Sequence, residues 1–198
     1  MTPQDPEALR VALLVVEALD RLELPYHLGG SYASSIHGIP RQSHDVDLVV
    51  DLDTQRVSQL AARLERDFYL DTESIYDAVA RRSSFNLVHF ATGIKVDVFV
   101  KAAGPFDQAE FARQQLMALV SDPRREIFVK SPEDTLLRKL LWYRAGGEVS
   151  DRQWTDVLGI IKIQGGRLDL PYLRLWSHRL GVDDLLARAL SEQPHGQR

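Results

Sequence analysis

Two rhythms of apolar residues divide the chain. Up to Lys130, helical stretches alternate with short runs of strand character; beyond it, every segment carries helical spacing. The apolar-rich run to Leu22 predicts a first helix, with Asp5 as its cap and Pro6 in its first turn. Tyr26–Leu28 and Asp45–Asp51 read as strands. Val57, Leu60, Ala61 and Leu64 recur at helical spacing behind Asp53, which is placed to cap that helix. A helix over Glu73–Arg82 follows. Ser84–Phe90 and Ile94–Val100 read as two antiparallel strands joined by a tight turn at Ala91–Gly93. Asp107–Val120 is expected to be helical, and Glu126–Lys130 a last short strand.

Ser131-Pro132-Glu133-Asp134 is a helix-start signal, with Ser131 as cap and Pro132 at the first position. Helices are expected over about 132–145, 150–164, 170–180 and 182–192, with Gly146-Gly147, Gly165-Gly166 and Gly181 at their ends. The tail from Glu192 is polar and expected to fray. The pattern predicts an α+β protein: a mixed-sheet α/β domain over residues 1–130, then a helical C-terminal region over 131–198.

Composition narrows the classes. A chain of 198 residues with 44% hydrophobic and 26% charged residues suits one or two small domains with a real core. The absence of cysteine excludes disulfides, thiol nucleophiles and zinc–thiolate sites, and agrees with a cytoplasmic location. No apolar stretch approaches the roughly 20 residues that span a bilayer, and the N-terminus lacks a signal-peptide pattern, so no membrane partner is expected. A net charge of −4 argues against broad nonspecific nucleic-acid binding. The pairs Arg81-Arg82 and Arg124-Arg125 leave a local basic patch open.

Candidate chemistry gathers in the first half. Asp45 and Asp47 interrupt an apolar strand and, one residue apart, point to the same side of it. Neighbouring carboxylates repel, and a divalent cation resolves that repulsion. Asp45 has a second reading, as a residue that turns the chain after Ser43 and His44. Upstream, Gly29-Gly30-Ser31 lies where a strand turns into a short helix, a geometry that presents backbone N–H groups to phosphate; the bland alternative is an ordinary glycine turn. Asp97 breaks the later apolar strand and shares a face with Lys95 and Phe99. It completes a three-carboxylate set if the two strands are neighbours, and otherwise pairs with Lys95. Arg41 is placed either to clamp a phosphate or to bridge to Asp45. Asp51 has the parity of Asp47 but lies roughly 13 Å along the strand, so it is left out of the set. His37, His44, His89 and His178 show no metal-site spacing, although His44 adjoins Asp45. Trp142, Tyr143, Trp154 and Trp176 fit core or interface positions.

The order Gly29-Gly30-Ser31, Arg41-x-Ser43-x-Asp45-x-Asp47, then Asp97 on a later strand resembles the nucleotidyltransferase superfamily typified by DNA polymerase β. Within it the chain is similar to small bacterial proteins related to AbiEii-type toxins, a likeness extended by Pro132-Glu133-Asp134, Lys139 and Asp156 over roughly residues 25–165. The resemblance implies a small mixed sheet flanked by helices, with transfer of a nucleoside monophosphate from a nucleoside triphosphate and release of pyrophosphate. It implies that Gly29, Gly30 and Ser31 hold the triphosphate and that Asp45, Asp47 and Asp97 bind two magnesium ions. Asp97 would also help deprotonate the attacking hydroxyl. Lys139 would contact a phosphate and Asp156 would orient Lys139 or the substrate. Read without the resemblance, Lys139 snorkels from among leucines and Asp156 pairs with Arg152. The acceptor is left open between RNA or tRNA, protein and a small molecule, and a toxin would bring an antitoxin partner. Two other readings stand beside this one: an inactive fold serving as a nucleotide-binding or interaction module, and a hydrolase using the same carboxylates.

Overall fold

The computed structural model describes residues 6–43, 45–121 and 124–192. The expected Asp5 cap, His44 and the tail beyond Glu192 lie outside the described residues, as do the side chains of Arg124 and Arg125. The chain divides into two compact units. The first takes the residues up to Tyr32 and Gln42–Lys130; the second takes Ala33–Arg41 and the residues from Ser131 on.

In the first unit, helix α1 (Pro6–Arg21) leads to strand β1 (Tyr26–Leu28) and the start of helix α2 (Gly30–His37). Then come β2 (Val46–Val50), α3 (Val57–Leu64), β3 (Phe68–Tyr69), α4 (Thr72–Arg81), β4 (Ser84–His89) and β5 (Lys95–Val100). Helix α5 (Pro105–Ala112) and the strands β6 (Gln115–Ser121) and β7 (Arg124–Val129) complete it. The strands form one seven-stranded mixed sheet in the order β3-β4-β5-β2-β1-β7-β6. β2 runs parallel to β5 and β1 parallel to β7, while the remaining pairs are antiparallel.

Strict alternation gives the central strands two faces. Val46, Leu48 and Val50 of β2 and Val96, Val98 and Val100 of β5 are buried. The apolar stripes of α1, α3 and α4 cover that side, with Val15, Leu19, Leu60, Leu64, Ile75 and Val79 in the core. The opposite positions, Asp47 and Val49 on β2 and Lys95, Asp97 and Phe99 on β5, are only partly buried. Side chains of period two thus put a hydrocarbon layer under a charged one.

Two local expectations are corrected. Asp107–Val120 is not one helix: α5 ends at Ala112, and Gln115–Ser121 is strand β6, paired antiparallel with β7. Leu116, Met117 and Ala118 favour helix intrinsically, but pairing along β7 satisfies their backbone groups and overrides that preference. Asp53 does not cap α3 either. Its Oδ1 accepts from the amides of Gln55 and Arg56, closing the turn that precedes the helix. The two-residue strand β3 had no sequence signal of its own.

The second unit takes the rest of α2 through His37 and the segment to Arg41, then α6 (Pro132–Ala145), α7 (Asp151–Gln164), a 3₁₀ turn (Gly165–Arg167), α8 (Leu170–Leu180) and α9 (Asp183–Ser191). Ser131 caps α6 by accepting from the Asp134 amide at 3.1 Å, and Ser150 caps α7 in the same way. Asp134 also takes a 2.6 Å hydrogen bond from the Tyr172 hydroxyl, tying α6 to α8. Segment 38–41 lies against α7 with no room to spare: a Cβ on Gly38 would stand 2.8 Å from the Ile160 nitrogen, and one on Gly159 would stand 3.2 Å from the Ile39 nitrogen.

Candidate active site

The parallel pairing of β2 with β5 sets Asp47 directly across from Asp97. Residues paired in register share a face, so the two carboxylates rise from the same side of the sheet on strands about 4.8 Å apart. Asn86 of β4 continues the row as the antiparallel partner of Asp97. The ladder opens at Val46 and Val96, which places Asp45 and Lys95 one residue ahead of it on the two strands. Asp45 is exposed, whereas the Asp97 side chain retains 16% of its accessible surface.

The glycine turn is fastened to the same strand. The Gly29 amide donates to the Asp47 carbonyl at 2.9 Å. Gly30 has φ +54°, in the left-handed region, and a Cβ there would fall 1.7 Å from Asp47 Oδ2. Residue 30 must therefore be glycine on two grounds, backbone conformation and the approach of the Asp47 carboxylate. That carboxylate lies beside the N-terminus of α2, whose dipole favours negative charge. On the other side of the turn, the Lys130 ammonium passes over Gly29, 3.8 Å from where a Cβ would be. Lys130 is buried and forms an ion pair with buried Glu110 of α5. Neither residue stood out in the sequence, because Glu110 belonged to a segment read as continuous helix.

Lys95 supplies the positive charge of this face. Its Nζ lies 2.9 Å from Asp97 Oδ2, and 43% of its side chain is exposed. The hydrogen bond to Asp97 raises its pKa above the ordinary lysine value; desolvation opposes the rise, and the charges of Asp97, Asp45 and Asp47 add to it. Of the two readings of Asp97, the pairing with Lys95 is the contact formed, on the face that Asp97 shares with its register partner Asp47. Among the described residues, no three acidic or histidine side chains are gathered closely enough to hold a metal ion as they stand. Asp51 lies elsewhere, paired with Lys101 at 2.7 Å.

The candidates of the second unit form their own cluster. Arg41 forks onto Asp156, its Nε at 2.8 Å from Oδ1 and its Nη2 at 2.9 Å from Oδ2. Lys139 Nζ reaches Oδ2 of the same carboxylate at 2.8 Å. Where spacing suggested Arg152 for Asp156, these two distant cations serve it. Lys139 does not snorkel: its side chain is 8% exposed and that of Asp156 only 4%. Burial pushes the Asp156 carboxyl up, but the hydrogen bonds and charges of Arg41 and Lys139 outweigh it and hold the group below its ordinary range. The close glycine contacts at Gly38 and Gly159 seat the 38–41 segment on α7 and so deliver Arg41 to Asp156. Of the aromatic residues of these helices, Tyr143, Trp154 and Trp176 are core and Trp142 is exposed.

No protein-family model matches this chain, and neither does any curated protein sequence. Solved structures do. The solution structure of the antibiotic-resistance factor ANT(2'')-Ia is 13% identical, covering 93% of this chain and 98% of that one with a TM-score of 0.56. The crystal structure of ANT(2'')-Ia in complex with adenylyl-2''-tobramycin is 14% identical, covering 88% and 98% with a TM-score of 0.56. An antigenic nucleotidyltransferase-like protein from Paracoccidioides brasiliensis is 18% identical, covering 96% and 95% with a TM-score of 0.52. At these identities the likeness is one of architecture: the seven-stranded mixed sheet with its flanking helices is a nucleotidyltransferase-type fold.

Proposed function

We propose that the protein is a magnesium-dependent nucleotidyltransferase that moves a nucleoside monophosphate from a nucleoside triphosphate to an acceptor hydroxyl. One observation carries the reading: Asp47 and Asp97 oppose each other in register, with the Gly29–Gly30 turn packed on Asp47. The chemistry of the donor set suits magnesium, since all three groups offer hard carboxylate oxygens and two of them, Asp47 and Asp97, are paired in register. Asp45, Asp47 and Asp97 would hold the metal, which when bound offsets triphosphate charge and orients the α-phosphate.

The chain's own groups supply the rest. Backbone N–H groups of Gly29, Gly30 and Ser31 at the start of α2 receive phosphate oxygens. The acceptor oxygen attacks the α-phosphorus in line while the Asp97 carboxylate accepts its proton. The bond from the α-phosphorus to the bridging oxygen breaks, and pyrophosphate leaves with that electron pair. Positioning and charge stabilisation provide most of the acceleration. The cations Arg41 and Lys139 are assigned to an anionic group of a substrate, with Asp156 holding both in place.

Near full-length overlap with ANT(2'')-Ia, solved in complex with adenylyl-2''-tobramycin, supports a small molecule of that kind as the first acceptor to test. The order of the glycine, aspartate and lysine motifs supports the alternative of an AbiEii-like toxin acting on RNA or protein beside an antitoxin. Labelled nucleoside triphosphates with magnesium, offered aminoglycosides, an RNA pool or a cell lysate, separate these arms. Label transfer that is lost in a folded Asp47→Ala variant is the expected result. Triphosphate binding without transfer to any acceptor would overturn it in favour of a binding module, and release of free nucleotide alone would indicate a hydrolase.

A further inference from the structure

We infer that Lys95 is a built-in counter-ion of the carboxylate row, occupying with its ammonium the charge position that a divalent cation takes when it binds. The inference rests on the metal-site reading above and adds a regulatory element to it. Lys95 and Asp97 lie two residues apart on β5 and so share a face, and Nζ sits 2.9 Å from Asp97 Oδ2. Asp47 faces Asp97 across the ladder, and Asp45 and Lys95 stand just ahead of its first pair, Val46 and Val96. One ammonium is thus paired with Asp97 at the end of the strand pair where Asp45, Asp47 and Asp97 lie.

A covering cation of this kind has two effects. Without metal it relieves the repulsion among Asp45, Asp47 and Asp97, so the row is stable with its oxygens less tightly gathered than metal ligation requires. With metal present it competes, because a divalent ion and an ammonium at one set of oxygens repel each other. Lys95 is able to yield: its stem is flexible and 43% of its side chain is already exposed, so it swings to solvent at low cost. Metal affinity is thereby held down until a triphosphate contributes its own negative charge. The nucleotide and the metal are then taken up together rather than the metal alone.

The test is direct Mn²⁺ binding to the full chain, read by electron paramagnetic resonance or calorimetry without nucleotide. Wild type, Lys95→Met, Lys95→Arg and, as a control for overall charge, Lys101→Met are compared. Lys95→Met is expected to bind Mn²⁺ about two- to five-fold more tightly, the scale of one partly exposed ion pair. Lys95→Arg should stay near wild type, and so should Lys101→Met, whose lysine serves Asp51 instead. Thermal melts supply a second readout: metal-free Lys95→Met should melt below wild type and gain more from added magnesium. Equal Mn²⁺ affinity in wild type and Lys95→Met overturns the counter-ion role and leaves the metal site standing. An equal gain in the Lys101→Met control also overturns it, as an effect of net charge alone. Absence of Mn²⁺ binding in every variant, with or without nucleoside triphosphate, overturns the metal-site reading itself.

Discussion

A Cβ on Gly30 would stand 1.7 Å from Asp47 Oδ2, at a residue whose φ is +54°. Gly30→Ala must therefore both strain the backbone and displace the carboxylate. We expect a loss of about 1–3 kcal/mol in urea unfolding and loss of nucleotidyl transfer beyond what reduced stability explains. An alanine variant with wild-type stability and transfer would show that the turn and Asp47 adjust independently.

Asp97 separates chemistry from folding. Asp97→Asn keeps the side-chain shape but removes the proton acceptor, and kcat is expected to fall by about 10²–10⁴. The melting temperature should change little, because the partner it loses, Lys95, is well exposed. Full turnover in Asp97→Asn would limit Asp97 to its ion pair with Lys95.

Asp156 is the opposite case. Asp156→Asn leaves Arg41 and Lys139 facing each other around a buried neutral group, at a cost of about 3–5 kcal/mol. The same carboxyl sets a pH dependence. Its folded-state pKa lies below the unfolded value, so its contribution is complete above the ordinary aspartate range and is lost as pH falls through the folded value. The stability gap between wild type and Asp156→Asn should be constant from about pH 5 to 8 and shrink below about pH 4. A gap that instead narrowed toward alkaline pH would mean the sign is wrong.

Glu110 and Lys130 form a buried pair beside Gly29, with side chains 2% and 7% exposed. Glu110→Gln removes the negative member of this buried pair and should cost several kcal/mol, whereas the double change Glu110→Leu with Lys130→Met should recover most of it. Chemical denaturation of the three proteins checks this. Equal losses in the single and double variants would mean that packing, not charge, dominates there.

Much of the candidate site was legible because strand alternation is local. An aspartate amid valines, with apolar neighbours on both sides, already says that Asp47 and Asp97 leave the core face, and Gly29-Gly30 announces a turn. That β2 and β5 lie side by side in parallel depends on how the chain crosses over, and no local pattern reports it. Residues 115–121 were misread because their helix formers carry less free energy than a partner strand supplies. Arg41 and Asp156 meet across 115 positions. A charged residue's spacing lists its helical neighbours, such as Arg152, but not the distant cation that folding brings. Gly38 and Gly159 were equally silent, since close backbone approach shows only when both elements are in place.

The two-residue rhythm of β5 binds its chemistry to its register. Lys95, Asp97 and Phe99 lie on one side and Val96, Val98 and Val100 on the other, and β2 and β4 hold the strand from both edges. Inserting or deleting a single residue inside this strand would drive a carboxylate into the hydrocarbon layer and turn valines outward. Length variation is thus closed to β5, and inheritance can alter this row only by exchanging one side chain for another in place.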